Sequence, residues 1–201
     1  MTTPWDLVFT ALDAGPGGSG EAGDLALALA GAELIDLLDA GAATLDGDAI
    51  VPGDPMSLPD RLLDEAASAL SRQLPHESVE EWLWRRGRGL PSTYLAALED
   101  EPRIPRQRHH RLPSRIRRTA PPDSPARRRA AERHRSGEPV LAALVTAAGP
   151  RGKPAEDTLG VAEGPVATVL AAVDDAVLEL EAVRQRRAIE QAAFDNVWRG
   201  Y

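Results

Sequence analysis

"DLALALAGAELIDLLDAG", residues 24–41, is the stretch of sequence that decides the fold. Its apolar side chains recur at helical spacing. Those that share one face are Leu27, Ala30, Leu34, Leu37 and Leu38. Asp24 can cap the start of a helix here, and Gly41 can end it. The pattern therefore predicts a helix over 24–41 that buries an apolar face against the rest of the chain.

Helical patterns continue on both sides of this stretch. The other segments predicted to be helical are 4–13, 57–74, 78–86, 92–100, 124–135, 138–149 and a long one that begins at Pro165 and continues to Trp198. Ser78 and Glu81 form a capping-box pattern at the start of the third of these segments. The turn Asp46-Gly47 predicts a small hairpin over 42–51.

These patterns predict a mainly α fold. We expect a compact single-domain multi-helix bundle over residues 1–201, with one or two small β-hairpins and a C-terminal helical extension at 184–201. Both 24–41 and 165–180 are expected to be largely buried on one face.

The composition excludes several classes of protein. The chain has 201 residues and no Cys, so a disulfide framework and thiolate chemistry are excluded. No apolar run reaches the length of a membrane span, and residues 1–10 lack the charged start and apolar stretch of a signal peptide. The simplest interpretation is a cytoplasmic protein.

Charge is distributed unevenly along the chain. The formal net charge is −8, but residues 1–81 carry −14, residues 82–135 carry +10 and residues 136–201 carry −4. The most basic stretch, "PRQRHHRLPSRIRRT" at 105–119, holds six Arg, two His and no acid. This asymmetry indicates a basic face for anions or the internal neutralisation of acidic helices.

No sequence motif supports an enzyme or a cofactor site. "GPGGSG" at 15–20 fits the glycine pattern of dinucleotide-binding loops, but no parallel-sheet pattern surrounds it, so a flexible surface loop is the better interpretation. The adjacent His109 and His110 lack the spacing and the carboxylates of a metal site. The acidic residues of the predicted helices are expected at their solvent faces, among them Asp36, Asp39 and Asp64. We therefore expect a non-enzymatic protein that binds no metal and no cofactor.

"WLWRRGRG" at 82–89 is the most informative charged motif. Arg85, Arg86 and Arg88 follow an aromatic segment where a helix must end, and planar guanidinium groups suit bidentate phosphate contacts. In the alternative interpretation Trp82 belongs to the core, and the arginines pair with the acidic N-terminal helices. The sequence leaves both open. Nucleic acid is not an expected partner, because the Arg clusters lack interleaved aromatic residues for base stacking.

The order of three segments resembles the Golgi phosphoprotein 3 family, in its bacterial, actinobacterial-like form. These segments are "LAGAELIDLLDAGAATLDGDAIV" at 29–51, "DRLLDEAASAL" at 60–70 and "SVEEWL" at 78–83. The later stretches "EPVLAALVTAAG" and "GPVATVLAAVDDAVLELEA" resemble the closing helices of that family. The resemblance implies a compact helical domain with a β-hairpin. It also implies a peripheral membrane adaptor that binds phosphatidylinositol 4-phosphate through a Trp and several Arg.

This chain lacks some of the residues that form the family's binding pocket and its hairpin tip. The Trp of the family's binding pocket falls near Glu21 and its first Arg falls near Ala30. The later pair of Arg falls near Trp84 and Gly87, or near Arg85 and Arg88. The apolar hairpin tip of the family falls near 108–114, where this chain offers only Leu112.

From these observations we predict a peripheral adaptor that binds anionic, phosphoinositide-like lipid headgroups at the inner face of the membrane. The residues predicted to hold the anion are Trp84, Arg85, Arg86 and Arg88, with Arg108, Arg111 and Arg115 as a second rim. Changing Arg85, Arg86 and Arg88 together to Ala is expected to abolish vesicle binding and leave the helices intact. The alternative is a soluble adaptor for a protein partner, with no lipid binding.

Overall fold

The computed structural model describes residues 2–14, 22–100, 124–149 and 163–199. Within these ranges the chain forms eight helices and one antiparallel hairpin. The elements are α1 (Thr3–Ala14), α2 (Ala22–Asp39), β1 (Ala43–Asp46), β2 (Ala49–Pro52), α3 (Arg61–Ser68), α4 (Val79–Arg86), α5 (Leu90–Asp100), α6 (Pro125–Arg135), α7 (Pro139–Ala148) and α8 (Gly164–Arg199). The prediction of a mainly helical fold with a small hairpin is confirmed.

Helix α2 is the centre of the fold. It packs against α1, α3, α4, α5, α7 and α8. Every residue from Leu27 to Ile35 is buried, so α2 is enclosed on all sides. The helix is thus buried more completely than the one face that the sequence predicted, because the side opposite its leucines carries small residues that let neighbouring helices approach.

The contact between α2 and α8 depends on Gly31. A Cβ built on Gly31 would overlap Cγ2 of Val173 in α8. On α8 itself, Val169, Val173 and Val177 are buried, whereas Leu178 is exposed. Helix α8 is thus buried on one face, as the sequence predicted, and that face meets α2 where α2 has no side chain.

Some predicted boundaries differ from the observed ones. Helix α3 is shorter than the predicted 57–74, because the Asp60 carboxylate accepts from the backbone N–H groups of Leu62 and Leu63 and sets the N-terminus there. The hairpin turn lies at Gly47 and Asp48, one residue later than predicted, and Gly47 has a φ of +63°. Helix α2 begins before Asp24, which lies in its first turn.

Helix α8 continues without a break to Arg199, as its pattern predicted. Its described side chains from Gln185 to Ala192 are exposed. The grouping of 1–201 into one domain with an extension at 184–201 stays a prediction. The basic stretch at 105–119 and the glycine loop at 15–20 lie outside the described residues.

The hairpin is joined directly to the start of α4. The backbone N–H of Ile50 donates to the carbonyl of Glu77 at 2.8 Å, and that of Val79 donates to the carbonyl of Asp48 at 2.9 Å. An antiparallel bridge pairs Ala49 with Ser78. These bonds fix the segment that precedes α4, and so they fix the direction in which α4 carries its arginines.

Candidate functional site

Helix α4 places the predicted anion-binding residues. The predicted capping box is present at its start: Ser78 Oγ accepts from the Glu81 N–H at 3.1 Å, and Glu81 Oε2 accepts from the Ser78 N–H at 2.9 Å. Trp82 and Leu83 are fully buried. Val79 on the same face is buried as well, whereas helical spacing turns Trp84 and Arg85 toward the flank of the helix and toward solvent.

Trp82 belongs to the core, as one of the two interpretations of this motif required. Its indole Nε1 donates to the carbonyl oxygen of Ala30 at 3.0 Å. Ala30 is itself fully buried. Ala30, which the resemblance places near the family's first pocket Arg, thus lies inside the core of this protein, while Glu21, which it places near the pocket Trp, is outside the described residues.

Arg86 points back into the domain and pairs with Glu33 of α2. Its Nε and Nη2 donate to the two oxygens of that carboxylate at 2.7 and 3.0 Å. The Tyr94 hydroxyl donates to the same carboxylate at 3.0 Å. Glu33 is fully buried, and 18% of the Arg86 side chain is exposed. Both oxygens of Glu33 are therefore satisfied by protein groups, and Arg86 neutralises a buried acid.

Burial changes the protonation behaviour of this cluster. Desolvation raises the pKa of the Glu33 carboxyl above its ordinary value, and the hydrogen bonds and charge of Arg86 oppose that rise. Burial beside Glu33 raises the pKa of the Tyr94 hydroxyl. Tyr94 consequently stays a hydrogen-bond donor at all ordinary pH values.

Arg85 lies on the other side of α4 and pairs with Glu77. Its Nε and Nη2 donate to that carboxylate at 2.5 and 2.6 Å. Nη2 also donates to the carbonyl of Ala69 at 3.1 Å, and the guanidinium lies 5.2 Å from the Trp82 ring centroid. Arg85 thus ties α4 to the C-terminal end of α3 while remaining exposed to solvent.

Three of the predicted residues surround one open cavity of about 620 Å³. Trp84, Arg85 and Arg88 line it together with residues of the segment that joins α3 to α4. Arg88 is exposed, and no described carboxylate pairs with it. The structure therefore brings Trp84, Arg85 and Arg88 together and places Arg86 elsewhere. Arg108, Arg111 and Arg115 lie outside the described residues, so the second rim stays a prediction.

The same cavity also carries acidic groups. Its lining includes Glu77, Glu80 and Glu81, as well as Pro75 and His76. Glu77 is paired with Arg85, and the carboxylate of Glu81 caps the backbone of α4. Two of the three carboxylates are therefore already engaged by protein groups, which reduces their repulsion of a bound anion.

Several acidic residues have structural partners that the sequence did not indicate. Asp36 was expected at a solvent face, but it is half-buried and its carboxylate accepts from the Thr3 N–H at 2.7 Å. Asp64 was expected there as well, and it accepts from the Leu58 N–H at 2.8 Å. Asp39 is exposed, as expected. The sequence analysis did not identify Glu33 as a buried acid, although its position three residues after Ala30 places it on the apolar face of the helix.

A second cleft of about 350 Å³ lies between the hairpin, α4 and α8. Its charged lining residues are Asp48, Glu80, Asp175 and Glu179. In the part of the chain that the structure describes, no group of three or more His, Cys, Asp or Glu side chains is arranged to hold a metal ion. No described helix is both long enough and apolar enough to cross a membrane.

The described residues define a mainly helical domain built around one buried helix, with a cavity of mixed charge at the end of α4. The family model of Golgi phosphoprotein 3 (GPP34) matches residues 4–192, nearly the whole chain. The protein therefore belongs to the Golgi phosphoprotein 3 family. No curated protein and no solved structure matches the chain.

Proposed function

We propose that this protein is a non-enzymatic, peripheral adaptor that binds phosphate-bearing lipid headgroups in the cavity at the end of α4. The observation that carries the proposal is the convergence of Trp84, Arg85 and Arg88 around that one cavity. Membership of the Golgi phosphoprotein 3 family supports an adaptor role at a membrane surface. The protein would act in the cytoplasm, at the inner face of the membrane.

Arg88 is the main phosphate ligand in this proposal. It is exposed at the cavity and has no carboxylate partner among the described residues, so its guanidinium can bind a phosphate without breaking an existing bond. Charge-assisted hydrogen bonds of this kind contribute about 1.5–3 kcal/mol each. Trp84 is half-buried beside it and offers an apolar wall to the glycerol or inositol part of a headgroup.

Arg85 has a secondary role in the proposal. Its known contacts engage Nε and Nη2, so Nη1 can reach a ligand while the pair with Glu77 persists. Arg86, which the sequence analysis grouped with these residues, serves the scaffold because its donors are directed at Glu33. Arg108, Arg111 and Arg115 remain a predicted second rim that would add to the attraction of an anionic surface.

Sedimentation with lipid vesicles tests this function. The full chain should sediment with phosphatidylcholine vesicles that contain phosphatidylinositol 4-phosphate or phosphatidylserine, and it should remain in solution with phosphatidylcholine alone. Excess DNA should not displace it from the vesicles, because the binding is not a general attraction to phosphate polymers. Equal sedimentation with both kinds of vesicle, or its complete loss on addition of DNA, would count against headgroup recognition.

A soluble adaptor for a protein partner is the second candidate function. The carboxylates of the cavity and the acidic cleft between the hairpin, α4 and α8 favour it, since both could accept basic side chains. A synthetic peptide of residues 105–119 is a suitable basic probe. Saturable binding of this peptide, together with no binding to any anionic vesicle, would favour the second candidate over the first.

A further inference from the structure

The cavity at the end of α4 offers one unengaged charge of each sign. Arg88 is the cation, and Glu80 is exposed at the same cavity, where no group among the described residues pairs with its carboxylate. The other arginine and the other carboxylates of the lining are engaged, because Arg85 pairs with Glu77 and Glu81 caps the backbone of α4. The two charged side chains left open to a ligand are therefore a guanidinium and a carboxylate.

These two charges stand on either side of an aromatic ring. Glu80, Trp84 and Arg88 follow one another at intervals of four residues, so they lie on the same side of α4. The backbone is helical up to Gly87, which places the Cα atoms of Glu80 and Arg88 about 12 Å apart along the axis. Trp84 lies between them and is half-buried. A ligand that rests on Trp84 is thus within reach of both charged side chains.

A ligand that matches this row of groups carries both an anion and a cation. A phosphate suits the planar guanidinium of Arg88, which can hold it by two parallel hydrogen bonds. A primary ammonium group suits both the carboxylate of Glu80 and the face of the Trp84 indole. A purely anionic ligand, by contrast, meets a carboxylate that no described cation offsets. The cavity therefore matches a small zwitterion better than a polyanion.

We infer that this cavity binds a phosphate ester that carries a primary ammonium group, of the phosphoethanolamine type, with its phosphate at Arg88 and its ammonium at Glu80. This ligand class rests on the proposed function and narrows the chemistry of the headgroup. Ethanolamine phospholipids and soluble phosphoethanolamine compounds share this chemistry. Choline headgroups do not, because a quaternary ammonium has no N–H to donate to Glu80.

Neutral vesicles test the lipid form of this ligand. Phosphatidylethanolamine and phosphatidylcholine are both zwitterionic, so phosphatidylcholine vesicles with and without phosphatidylethanolamine differ in the ammonium group and not in net charge. The full chain should sediment with the mixed vesicles and remain in solution with phosphatidylcholine alone. Titration calorimetry tests the soluble form. O-phosphoethanolamine should bind about tenfold more tightly than ethyl phosphate, which lacks the ammonium group.

Glu80→Gln separates the ammonium contact from the phosphate contact. It should weaken binding to O-phosphoethanolamine and to the mixed vesicles about tenfold. Binding to vesicles that contain phosphatidylinositol 4-phosphate should not weaken, because only a carboxylate is removed. The matched control is Glu179→Gln, at an exposed carboxylate of the neighbouring acidic cleft, and it should bind like the native chain. Circular dichroism checks the helices, since Glu80 lies in the first turn of α4.

The outcomes separate the ligand class from the function on which it rests. Sedimentation with phosphatidylinositol 4-phosphate, together with equal binding of O-phosphoethanolamine and ethyl phosphate, would overturn the zwitterionic ligand and leave headgroup binding intact. Binding of O-phosphoethanolamine that needs Glu80, without binding to any vesicle, would support the zwitterionic ligand and contradict a lipid as its source. If the chain binds neither the soluble ligands nor any vesicle, both proposals are wrong.

Discussion

Arg86 of α4 and Glu33 of α2 form a two-bond ion pair in the core, with donor–acceptor distances of 2.7 and 3.0 Å. The neighbouring Arg85 makes a similar pair at the surface with Glu77. Only Arg88 of these three arginines lacks a described carboxylate partner. Three arginines within four positions thus divide into one that stabilises the core, one that joins two helices and one that is open to a ligand.

Removing Arg86 should destabilise the protein strongly. Arg86→Ala leaves the carboxylate of Glu33 buried without its cation, and breaking a buried pair in this way costs about 3–5 kcal/mol. Unfolding in urea, followed by circular dichroism, measures the change. The double variant Glu33→Gln/Arg86→Met keeps an acceptor for Tyr94 and should recover most of the loss. A double variant no more stable than Arg86→Ala would show that the charge is not the cause.

The destabilising effect of Arg86→Ala changes the outcome expected for the triple substitution of Arg85, Arg86 and Arg88. From the sequence, that triple variant was expected to lose vesicle binding and keep its helices. The structure instead indicates that it loses stability as well, because Glu33 is left unpaired. Substitution of Arg88 by itself separates binding from folding.

Gly31→Ala should also destabilise the fold, by about 1–3 kcal/mol, since the added methyl overlaps Cγ2 of Val173 and forces α2 and α8 apart. The thermal midpoint and the urea midpoint both report this change. Combining Gly31→Ala with Val173→Ala removes the overlapping group. The two substitutions should therefore be less destabilising together than the sum of their separate effects. Strict additivity would contradict the account of this contact.

Stability should depend on pH through Asp36. Burial raises the pKa of its carboxyl above the ordinary value of 3.8, although the bond from Thr3 opposes the rise. At pH values between the pKa of Asp36 in the unfolded chain and its higher pKa in the folded protein, the folded protein binds more protons than the unfolded chain. The contribution of Asp36 to stability is therefore largest at low pH. This contribution is lost as the pH rises through the folded pKa.

Asp36→Asn isolates this effect, because Asn keeps an oxygen acceptor for the Thr3 N–H. The free energy of unfolding of the native chain, minus that of Asp36→Asn, should fall as the pH rises above about 4 and then level off. Urea titrations at a series of pH values give this difference. A difference that increases with pH would mean that the folded carboxyl has a lowered pKa, contrary to its burial.

The predicted second rim can be tested apart from the cavity. Changing Arg108, Arg111 and Arg115 together to Ala should weaken binding to anionic vesicles, since each basic residue near an anionic surface contributes about 1 kcal/mol. The helical spectrum should be unchanged. The weakening should shrink as salt is added, because exposed charges are screened. Unchanged affinity at low salt would exclude these residues from the site.

Much of the fold could be predicted because its signals are local. The Ser78–Glu81 capping box, the N-cap Ser124 before Pro125 and the spacing of apolar residues in α8 each depend on residues a few positions apart. Such patterns set helix starts and buried faces through bonds within one or two turns.

The partners of the arginines could not be predicted from such local signals. Glu33 and Arg86 are 53 residues apart, and a chain with 31 acidic residues offers many partners of equal chemistry. The spacing of Glu33 from Ala30 and Leu37 does place it on the apolar face, which was a usable signal for a buried acid. Its pairing with Arg86 depends on how α4 packs against α2, and only the tertiary structure shows that.

The most direct test of headgroup binding is the affinity of Arg88→Ala for vesicles with and without phosphatidylinositol 4-phosphate. The matched control is Arg61→Ala, because Arg61 is an exposed arginine of α3 whose pair with Glu65 lies within one helix. Arg88→Ala should keep the stability of the native chain and lose about ten- to a hundredfold in affinity for the anionic vesicles. Arg61→Ala should bind like the native chain. Native affinity in Arg88→Ala, or an equal loss in both variants, would contradict headgroup binding at the cavity of α4.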